Sequence, residues 1–405
     1  MTRPLRGWCP SLFEPMASGD GLLVRVKPPL GRMSAASARA VAAAARSFGN
    51  GQIELTNRGA IQVRGLEQAS LPPFRAAVLA AGLASADPAI ERRRNLLVSP
   101  FAVPPEVAVA TEMERWIGED KALESLPSKF GFALGSPHDP QPPLADVCLT
   151  SFAICARDHG AALWQIRLDG SKIIGMTDAP AAAVRTVLHN FIRLSKVLGE
   201  GPRRMAQLLR NFAADRLFAG AGVAFATVPT TPKTEGSSAI AGAFGDRFAL
   251  GLPFGAANAD QMEIAANLAE RFAATDLRLS PWRALVLTAV SDAGILAKEA
   301  QAAGFITDST DSRLLLSACP GAPTCASAHA ASRADAAVLA TYSLPGAIHV
   351  SGCAKGCAHP KPATITLVAA DDGYGLVRHG RAGDPPQMRG LTLEAAIRLL
   401  AAETI

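Results

Sequence analysis

The sequence predicts a mixed α+β fold that is built from two related halves. The main observation is a pattern of one strand, one helix and two further strands, which occurs twice. The polar turns between the last two strands of each copy, at 56–59 and 280–283, start 224 residues apart (280 minus 56). A longer stretch of mixed α/β character follows each copy, over 76–226 and 295–405. A repeat of this size predicts two pseudo-symmetric units in one chain.

Each element of the repeat has its own local signal. In the first copy, an alternating strand over 19–28 ends at a proline, and Ser34 is placed to cap an alanine-rich helix that reaches about Arg46. Strands at 52–55 and 61–64 then flank the first polar turn. The second copy repeats these elements at 248–253, 260–273, 277–279 and 285–287. The agreement in helix length, strand number and turn position is stronger than any one of these signals.

Composition limits the classes of protein to which the chain can belong. Its 405 residues suit two or three domains, and a hydrophobic content of 49% predicts folded cores rather than disorder. The chain has a net charge of +5 but no dense block of basic residues. This argues against a nucleic-acid partner and favours an acidic small molecule. No long uncharged apolar run and no signal-peptide pattern occur, so we expect no membrane span and a cytoplasmic location. A Pro/Thr/Gly/Ser-rich segment at 228–240 predicts a linker between the halves.

Four of the seven cysteines form two closely spaced pairs. Cys319 and Cys325 are separated by five residues and Cys353 and Cys357 by three, and both pairs lie among glycine, proline and alanine. Four thiolates suit a [4Fe–4S] cluster, which takes one soft ligand for each iron. Structural zinc is the alternative, although its paired ligands are usually closer than the first pair here. Buried inert thiols are the other alternative, and simple burial is what we expect of the remaining cysteines, Cys9, Cys148 and Cys155.

The cysteine spacing and the two half-repeats together resemble the nitrite/sulfite reductase superfamily. The resemblance implies two pseudo-symmetric halves, each a ferredoxin-like half-repeat followed by a nitrite/sulfite reductase-type α/β domain. It also implies that the four cysteines hold a [4Fe–4S] cluster, with Cys357 at the position that bridges to sirohaem iron in the reductases. The boundaries that follow are 1–72 for the N-terminal segment and first half-repeat, 73–227 for the first α/β domain, 228–240 for the linker, 241–294 for the second half-repeat and 295–405 for the second α/β domain.

Three further segments carry the same resemblance. The turn at 56–62 is similar to the family's Thr-x-Arg…Gln turn, which implies that Arg58 faces the active site. The Arg94-Asn95 pair resembles the segment with a second anion-binding arginine. The segment 127–131 resembles the Lys-x-Lys segment of sulfite reductases, but it keeps Lys129 and has Gly131 in place of the second lysine. Since that ammonium would bind a small oxyanion and donate protons, its loss argues against sulfite or nitrite as substrate.

One branch of the superfamily is most similar. The segments 6–25, 281–283 and 349–358 resemble the precorrin-3B synthases, which are oxygenases of aerobic cobalamin biosynthesis. This resemblance implies hydroxylation of precorrin-3A by dioxygen at C20, with a γ-lactone formed from the ring A acetate. No nucleotide-binding glycine motif follows a predicted strand. We therefore expect an external electron donor, either an NADH-linked reductase or a ferredoxin.

The resemblance also selects candidate site residues. Arg58, Arg94 and Lys129 are the candidate catalytic residues, and they are expected to bind substrate carboxylates as well. The additional candidates for substrate binding are Arg25, Arg64, Arg283 and Lys355. Arg92 and Arg93 are expected to be solvated surface residues.

The cofactor expectations leave alternatives open. A mononuclear non-haem iron is implied by the family, but no His-x-Asp/Glu…His pattern identifies its ligands, and only His349 and His359 flank a cysteine pair. Sirohaem is expected only if the chain is a sirohaem-dependent sulfite or nitrite reductase. A second alternative is a non-catalytic iron–sulfur protein that binds a tetrapyrrole.

Overall fold

The first repeat forms because short alternating strands surround one well-capped helix. In this computed structural model the described residues are 10–142, 145–153, 163–199, 204–227, 240–273, 276–344 and 346–402. The elements of the first repeat and the helix after it are β1 (Met16–Ser18), β2 (Gly21–Val26), β3 (Arg32–Met33), α1 (Ala35–Phe48), β4 (Gln52–Leu55), β5 (Ile61–Leu66) and α2 (Leu71–Ala80). Ser34 caps α1 as predicted, because its side chain accepts a hydrogen bond from the N–H of Ser37 at 3.0 Å.

The first α/β domain contains a six-stranded sheet. Its elements are α3 (Pro88–Arg93), β6 (Leu96–Val98), α4 (Pro104–Glu119), β7 (Phe132–Gly135), β8 (Val147–Ala153), β9 (Leu163–Leu168), β10 (Ile173–Thr177), α5 (Pro180–Val197), α6 (Met205–Leu208), α7 (Ala214–Phe218) and β11 (Ala224–Thr227). The strand order is β11-β10-β9-β8-β7-β6. Strands β6, β7 and β8 are parallel, and β8 to β11 pair antiparallel. Helices α4 and α5 bury Trp116 and Phe191 in its core.

The second repeat has the same order of elements as the first. They are β12 (Gly242–Phe244), β13 (Arg247–Gly251), β14 (Ala256–Asn258), α8 (Ala259–Phe272), β15 (Leu277–Leu279) and β16 (Ala284–Thr288), followed by α9 (Ala293–Ala302). Asn258 and Gln261 form a reciprocal capping box at the start of α8. The predicted linker at 228–240 lies outside the described residues, except for Ile240, as do Cys9, Cys155 and the N-terminal run up to residue 9.

The second α/β domain contains the four paired cysteines. Its elements are β17 (Leu316–Ala318), α10 (Ser332–Leu339), β18 (Ile348–Ser351), β19 (Ala363–Ala370), β20 (Gly373–Gly380), β21 (Met388–Leu391) and α11 (Leu393–Ala402). The sheet order follows the chain, with β17, β18 and β19 parallel and the last two strands antiparallel. The first α/β domain has the same sequence of two parallel pairings followed by antiparallel ones, with one further antiparallel strand. No helix among the described residues combines the length and apolar character that crossing a membrane needs.

The two repeats complete each other's sheets. Strand β3 of the first repeat pairs with β15 of the second, and β14 of the second pairs with β4 of the first. Helices α1 and α8 pack together in the shared core, and Arg39 bridges them by hydrogen bonds to Asn267 and Glu270. The turn before each exchanged strand places a non-glycine residue at positive φ, Leu30 at 52° and Phe254 at 57°. The predicted α+β fold of two pseudo-symmetric halves is therefore confirmed.

A serine and aspartate cluster lies at the ends of β6 and β7. Ser99 donates a hydrogen bond from its hydroxyl to Asp139, and the N–H of Ser136 donates to the same carboxylate at 2.9 Å. Burial raises the pKa of Asp139 to about 7, and the nearby Glu106 carboxylate contributes, although the hydrogen bonds oppose the shift. The corresponding strand ends of the second domain carry Cys319 and Cys353, so equivalent positions hold different chemistry in the two halves.

Replacement of Asp139 by asparagine is expected to change how stability depends on pH. The unfolded chain releases this proton near pH 4 and the folded chain near pH 7, so the parent loses stability as pH rises through that window. The asparagine variant lacks this loss. Relative to the parent, its free energy of unfolding should therefore rise by about 3 kcal/mol from pH 4.5 to 7.5. Chemical denaturation at both pH values measures this, and a constant difference would contradict the assignment.

Candidate functional site

The four paired cysteines lie at one edge of the last sheet. Cys319 directly follows β17, and Cys353 follows β18 after the single residue Gly352. Because β17 and β18 are parallel neighbours, their carboxyl ends meet at the same edge. The carboxyl edge of a parallel sheet is where α/β proteins commonly bind ligands. The topology thus brings together two pairs that are separated by 27 residues in sequence.

Backbone groups tie the two cysteine loops to each other. The N–H of Gly352 donates to the Cys319 sulfur at 3.2 Å, and the N–H of His329 donates to the Gly352 carbonyl at 2.9 Å. A Cβ atom at Gly352 would lie 2.7 Å from the Cβ of Ala328, so this close approach requires glycine. An N–H donor at a thiolate stabilises its negative charge and tunes a metal centre.

The thiols also influence one another electrostatically. Cys319 is buried, Cys325 and Cys353 are half-buried, and Cys357 is the exposed member of the set. Burial of the thiol is nevertheless the main cause that raises the pKa of Cys357, followed by the negative charges of the other three cysteines. This mutual effect reflects their proximity. Cys148, in contrast, is buried in β8 beside Leu97, as the sequence predicts.

The residues around these thiols fit a [4Fe–4S] cluster. The four thiols offer one soft ligand for each of four irons. The site also has an amide donor at one sulfur and a glycine that lets the two cysteine loops approach each other closely. In the described part of the chain, no three His, Cys, Asp or Glu side chains are grouped so that they could hold a metal ion. The four cysteines are not grouped around one ion either, but a cubane does not require that, because each thiolate binds a different iron.

The same observation bears on the mononuclear iron that the sequence resemblance implies. Such an iron commonly takes two histidines and a carboxylate. The described residues offer no group of this kind, so they do not fit this second metal. His349 and His359, the two histidines near the cysteine loops, have ring centroids 5.8 Å apart.

His349 is the buried histidine of this region. It lies in β18 with 0% exposure, and neither of its ring nitrogens has a hydrogen-bond partner. Burial lowers the pKa of His349 to about 4, with a smaller effect from His359, so the ring is neutral near pH 7. A Cβ atom at Gly356, one residue before Cys357, would lie 3.6 Å from this ring. An unsatisfied buried ring beside the cysteine loop fits a site that is completed by a bound group.

A second feature, the basic cleft, lies between the first repeat and the first α/β domain. Its volume is about 900 Å³, including the solvent at its mouth. Seven cationic side chains line it, against the carboxylates of Glu14 and Glu114. The cationic residues are Arg25, Lys27, Arg58, Arg92, Arg94, Lys129 and Arg204. This excess of positive charge suits a ligand that carries several carboxylates.

Four of the predicted site residues meet in the basic cleft. Arg25 lies on β2, Arg58 lies in the turn between β4 and β5, and Lys129 lies before β7. The Arg58 guanidinium donates to the Lys129 carbonyl at 3.4 Å and so connects two of the sequence motifs. Gly131 also lines the basic cleft. A second lysine at this position would therefore have added its positive charge to the cleft.

Arg94 lines the basic cleft, but its guanidinium is engaged within the protein. It donates to Glu91 at 2.7 Å, to Glu114 at 2.8 Å and to the Lys27 carbonyl at 3.3 Å. Glu91 has 0% exposure, so this arginine neutralises a buried carboxylate. These contacts indicate that Arg94 supports the wall of the cleft.

The other three predicted substrate contacts lie elsewhere. Arg64 is buried among Ser18, Asp20 and Glu54. Arg283 donates to the Leu316 carbonyl of β17 at 2.7 Å, and burial lowers its pKa to about 10. Lys355 is exposed, and its ammonium donates to Ser327 at 2.9 Å. None of the three lines the basic cleft.

Sequence reasoning missed three of the cationic lining residues and misplaced Arg93. Lys27 follows Arg25 by two positions on the same strand, so strand alternation could have found it. Arg92 was expected to be solvated, but it lines the basic cleft, and no sequence signal indicates Arg204. The surface prediction for Arg93 is wrong, because this side chain is buried and donates to the carbonyls of Ile117 and Gly118.

Comparison with known proteins agrees with this architecture. Residues 14–81 match the model of the nitrite/sulfite reductase ferredoxin-like half domain. The NirA protein of Mycobacterium tuberculosis has a similar fold, with a TM-score of 0.69 and 18% identity over 92% of this chain and 78% of that one. A precorrin-3B synthase from Sinorhizobium sp is 33% identical over 409 residues, which cover 94% of this chain and 84% of the relative. The chain therefore belongs to the precorrin-3B synthase family and has the nitrite/sulfite reductase fold.

Proposed function

We propose that this protein is a monooxygenase that hydroxylates precorrin-3A at C20 and yields precorrin-3B, with a γ-lactone formed from the ring A acetate. The observation that carries the proposal is the basic cleft, with seven cations against two carboxylates, in a chain of this family. Precorrin-3A bears many acetate and propionate groups. Pairing of Arg94, Lys27 and Arg204 with Glu91, Glu114 and Asp146 offsets part of this charge. A ligand with several carboxylates suits the excess that remains, whereas a single sulfite or nitrite would compensate only part of it.

Substrate recognition follows from the positions of the cations. Arg58 and Arg25 present planar guanidinium groups that can each bind a carboxylate through two N–H donors. Lys129 and Lys27 add ammonium groups to the lining of the basic cleft. The hydrogen bond between Arg94 and Glu114 supports the wall of the cleft. These residues orient the macrocycle through its acidic side chains and leave the meso carbons free to react.

The reaction also needs electrons. One atom of dioxygen enters the substrate and the other leaves as water, which consumes two electrons and two protons. A [4Fe–4S] cluster, which Cys319, Cys325, Cys353 and Cys357 would hold, supplies one-electron transfer when it is bound. The electrons come from an external donor, either a ferredoxin or an NADH-linked reductase.

Turnover under isotopically labelled dioxygen tests the proposed function. Protein purified without oxygen is mixed with precorrin-3A, a chemical reductant and ¹⁸O₂, and the product is analysed by mass spectrometry. We expect a product with one ¹⁸O atom that is absent when the protein is omitted. Binding without turnover would instead indicate a non-catalytic tetrapyrrole-binding protein, and reduction of sulfite or nitrite would indicate a sirohaem-dependent reductase.

Replacement of Arg58 by methionine is expected to weaken precorrin-3A binding by about 10- to 100-fold, because a charged hydrogen bond contributes about 1.5–3 kcal/mol. Stability should change little, since the internal hydrogen bond of this side chain is long, at 3.4 Å. Anaerobic absorbance titration measures the dissociation constant. Arg115→Met is the matched control, because Arg115 is exposed on α4 and pairs with the exposed Glu119 one turn further along the helix. Equal affinities for the two variants would contradict the assignment of Arg58.

A further inference from the structure

Arg64 belongs to a buried polar network that reaches the loop of Cys325. Its side chain is 4% exposed, and its guanidinium makes two hydrogen bonds of 3.0 Å to Asp20. The same group donates to the Ser18 hydroxyl at 2.7 Å and to the Thr324 carbonyl at 3.4 Å. The Ser18 hydroxyl also donates to that carbonyl, at 3.2 Å. Two side chains of the first repeat thus hold the residue that precedes Cys325.

The turn between β1 and β2 touches the same loop through its backbone. A Cβ atom at Gly19 would lie 2.6 Å from the nitrogen of Ala326, 2.9 Å from the Thr324 carbonyl oxygen and 3.1 Å from the carbonyl carbon of Cys325. No real side chain tolerates such distances, so the turn and the loop are packed backbone to backbone. Gly19 has no positive φ, and the requirement for glycine here comes from packing alone.

The backbone hydrogen bonds of Cys325 itself are short-range. The Cys325 N–H donates to the Gly321 carbonyl at 2.8 Å, and the Ala328 N–H donates to the Cys325 carbonyl at 3.0 Å. Bonds of this kind shape a turn. The His329 N–H ties the end of the loop to the Gly352 carbonyl, but residues 324–326 themselves need a further restraint relative to the sheet that carries Cys319 and Cys353. Contact with the first repeat supplies that restraint.

We propose that Ser18, Gly19 and Arg64 are positioning residues that hold Cys325 in place for the cluster. This inference rests on the proposed role of the four cysteines as cluster ligands. A cubane fixes the positions of its four thiolates, so a displaced loop would strain one iron–sulfur bond. The first repeat therefore contributes to the cluster site although all four cysteines belong to the second α/β domain.

The charges around Arg64 agree with a positioning role. Its guanidinium lies between the carboxylates of Asp20 and Glu54, and Glu54 also accepts a hydrogen bond from Arg333 at 2.6 Å. The donors of Arg64 are thus directed at protein groups, and the side chain does not line the basic cleft. The sequence predicts that Arg64 contacts substrate, whereas in the structure its side chain contacts the loop of Cys325.

Four variants of the full chain, purified without oxygen, test the inference. Gly19→Ala and Arg64→Met are expected to lose iron to a chelator several-fold faster than the parent, and the reduced cluster should show a changed electron paramagnetic resonance spectrum. The controls are Gly118→Ala, at a glycine of α4 with room for a methyl group, and Arg93→Met, at an equally buried arginine. Arg93→Met should lower thermal stability and leave the iron-loss rate and the spectrum as in the parent.

The outcomes separate this inference from the proposed function. A parent protein that binds no iron and sulfide would overturn the cluster assignment itself. A parent with an intact cluster, together with variants that match it in iron-loss rate and spectrum, would overturn only the positioning role. If Arg64→Met does not fold, Gly19→Ala and Ser18→Ala decide the question, because Ser18→Ala removes only one hydroxyl from the network.

Discussion

Replacement of Cys325 by serine is expected to remove the cluster and the oxygenase activity together. Serine offers a hard, weakly acidic hydroxyl where the iron requires a soft thiolate. Iron and labile sulfide should therefore fall to background levels in protein purified without oxygen, and ¹⁸O incorporation into precorrin-3A should fall with them. The protein should still fold, because Cys325 lies in a surface loop outside the apolar core of its domain.

Cys148→Ala is the control for the loss of a thiol. Cys148 is buried in β8 of the other α/β domain, where it packs with Leu97 and Ala133. Its replacement should leave the iron and sulfide content unchanged. A Cys325→Ser protein that turns over precorrin-3A as fast as the parent would contradict the assignment of the four cysteines.

Replacement of Arg94 by methionine is expected to lower the free energy of unfolding by about 3 kcal/mol, because it leaves the Glu91 carboxylate buried without its nearest cation. Glu91 has 0% exposure, and the remaining ammonium, that of Lys27, lies 3.9 Å from its Oε1 atom. Chemical denaturation of the parent and the variant at pH 7 measures the difference. Arg115→Met breaks an exposed ion pair and should change stability by less than about 1 kcal/mol.

A double variant sharpens this prediction. Glu91→Gln removes the buried charge, so Glu91→Gln combined with Arg94→Met should recover part of the stability that Arg94→Met alone loses. If Arg94→Met were as stable as the parent and bound precorrin-3A at least tenfold more weakly, Arg94 would be a direct substrate ligand. That result would contradict its role as a support for the wall of the cleft.

The sequence predicts the repeats well because their signals are local. Capping by Ser34, the alternation in β2 and the polar turns each depend on a few neighbouring residues. The exchange of β3 and β14 could not be predicted in this way. Those strands have two and three residues, and their partners lie more than 200 positions away, so no local pattern specifies the pairing.

The same contrast applies to the site. Motif position was sufficient to place Arg25, Arg58 and Lys129 together in the basic cleft. It did not indicate the internal contacts of Arg64 and Arg94, because the partners of an arginine determine its role, and those partners come from distant segments. Arg64 contacts Thr324 and Arg94 contacts Glu114, which no motif connects to them.

Iron, labile sulfide and the absorption spectrum of protein purified without oxygen test the central claim most directly. We expect about four irons and four sulfides per chain and a broad thiolate-to-iron shoulder without sharp macrocycle bands. That result would support a [4Fe–4S] cluster on Cys319, Cys325, Cys353 and Cys357 in a protein whose cleft is free to take a tetrapyrrole substrate. Sharp sirohaem bands would contradict the oxygenase proposal, and the absence of iron and sulfide would contradict the cluster itself.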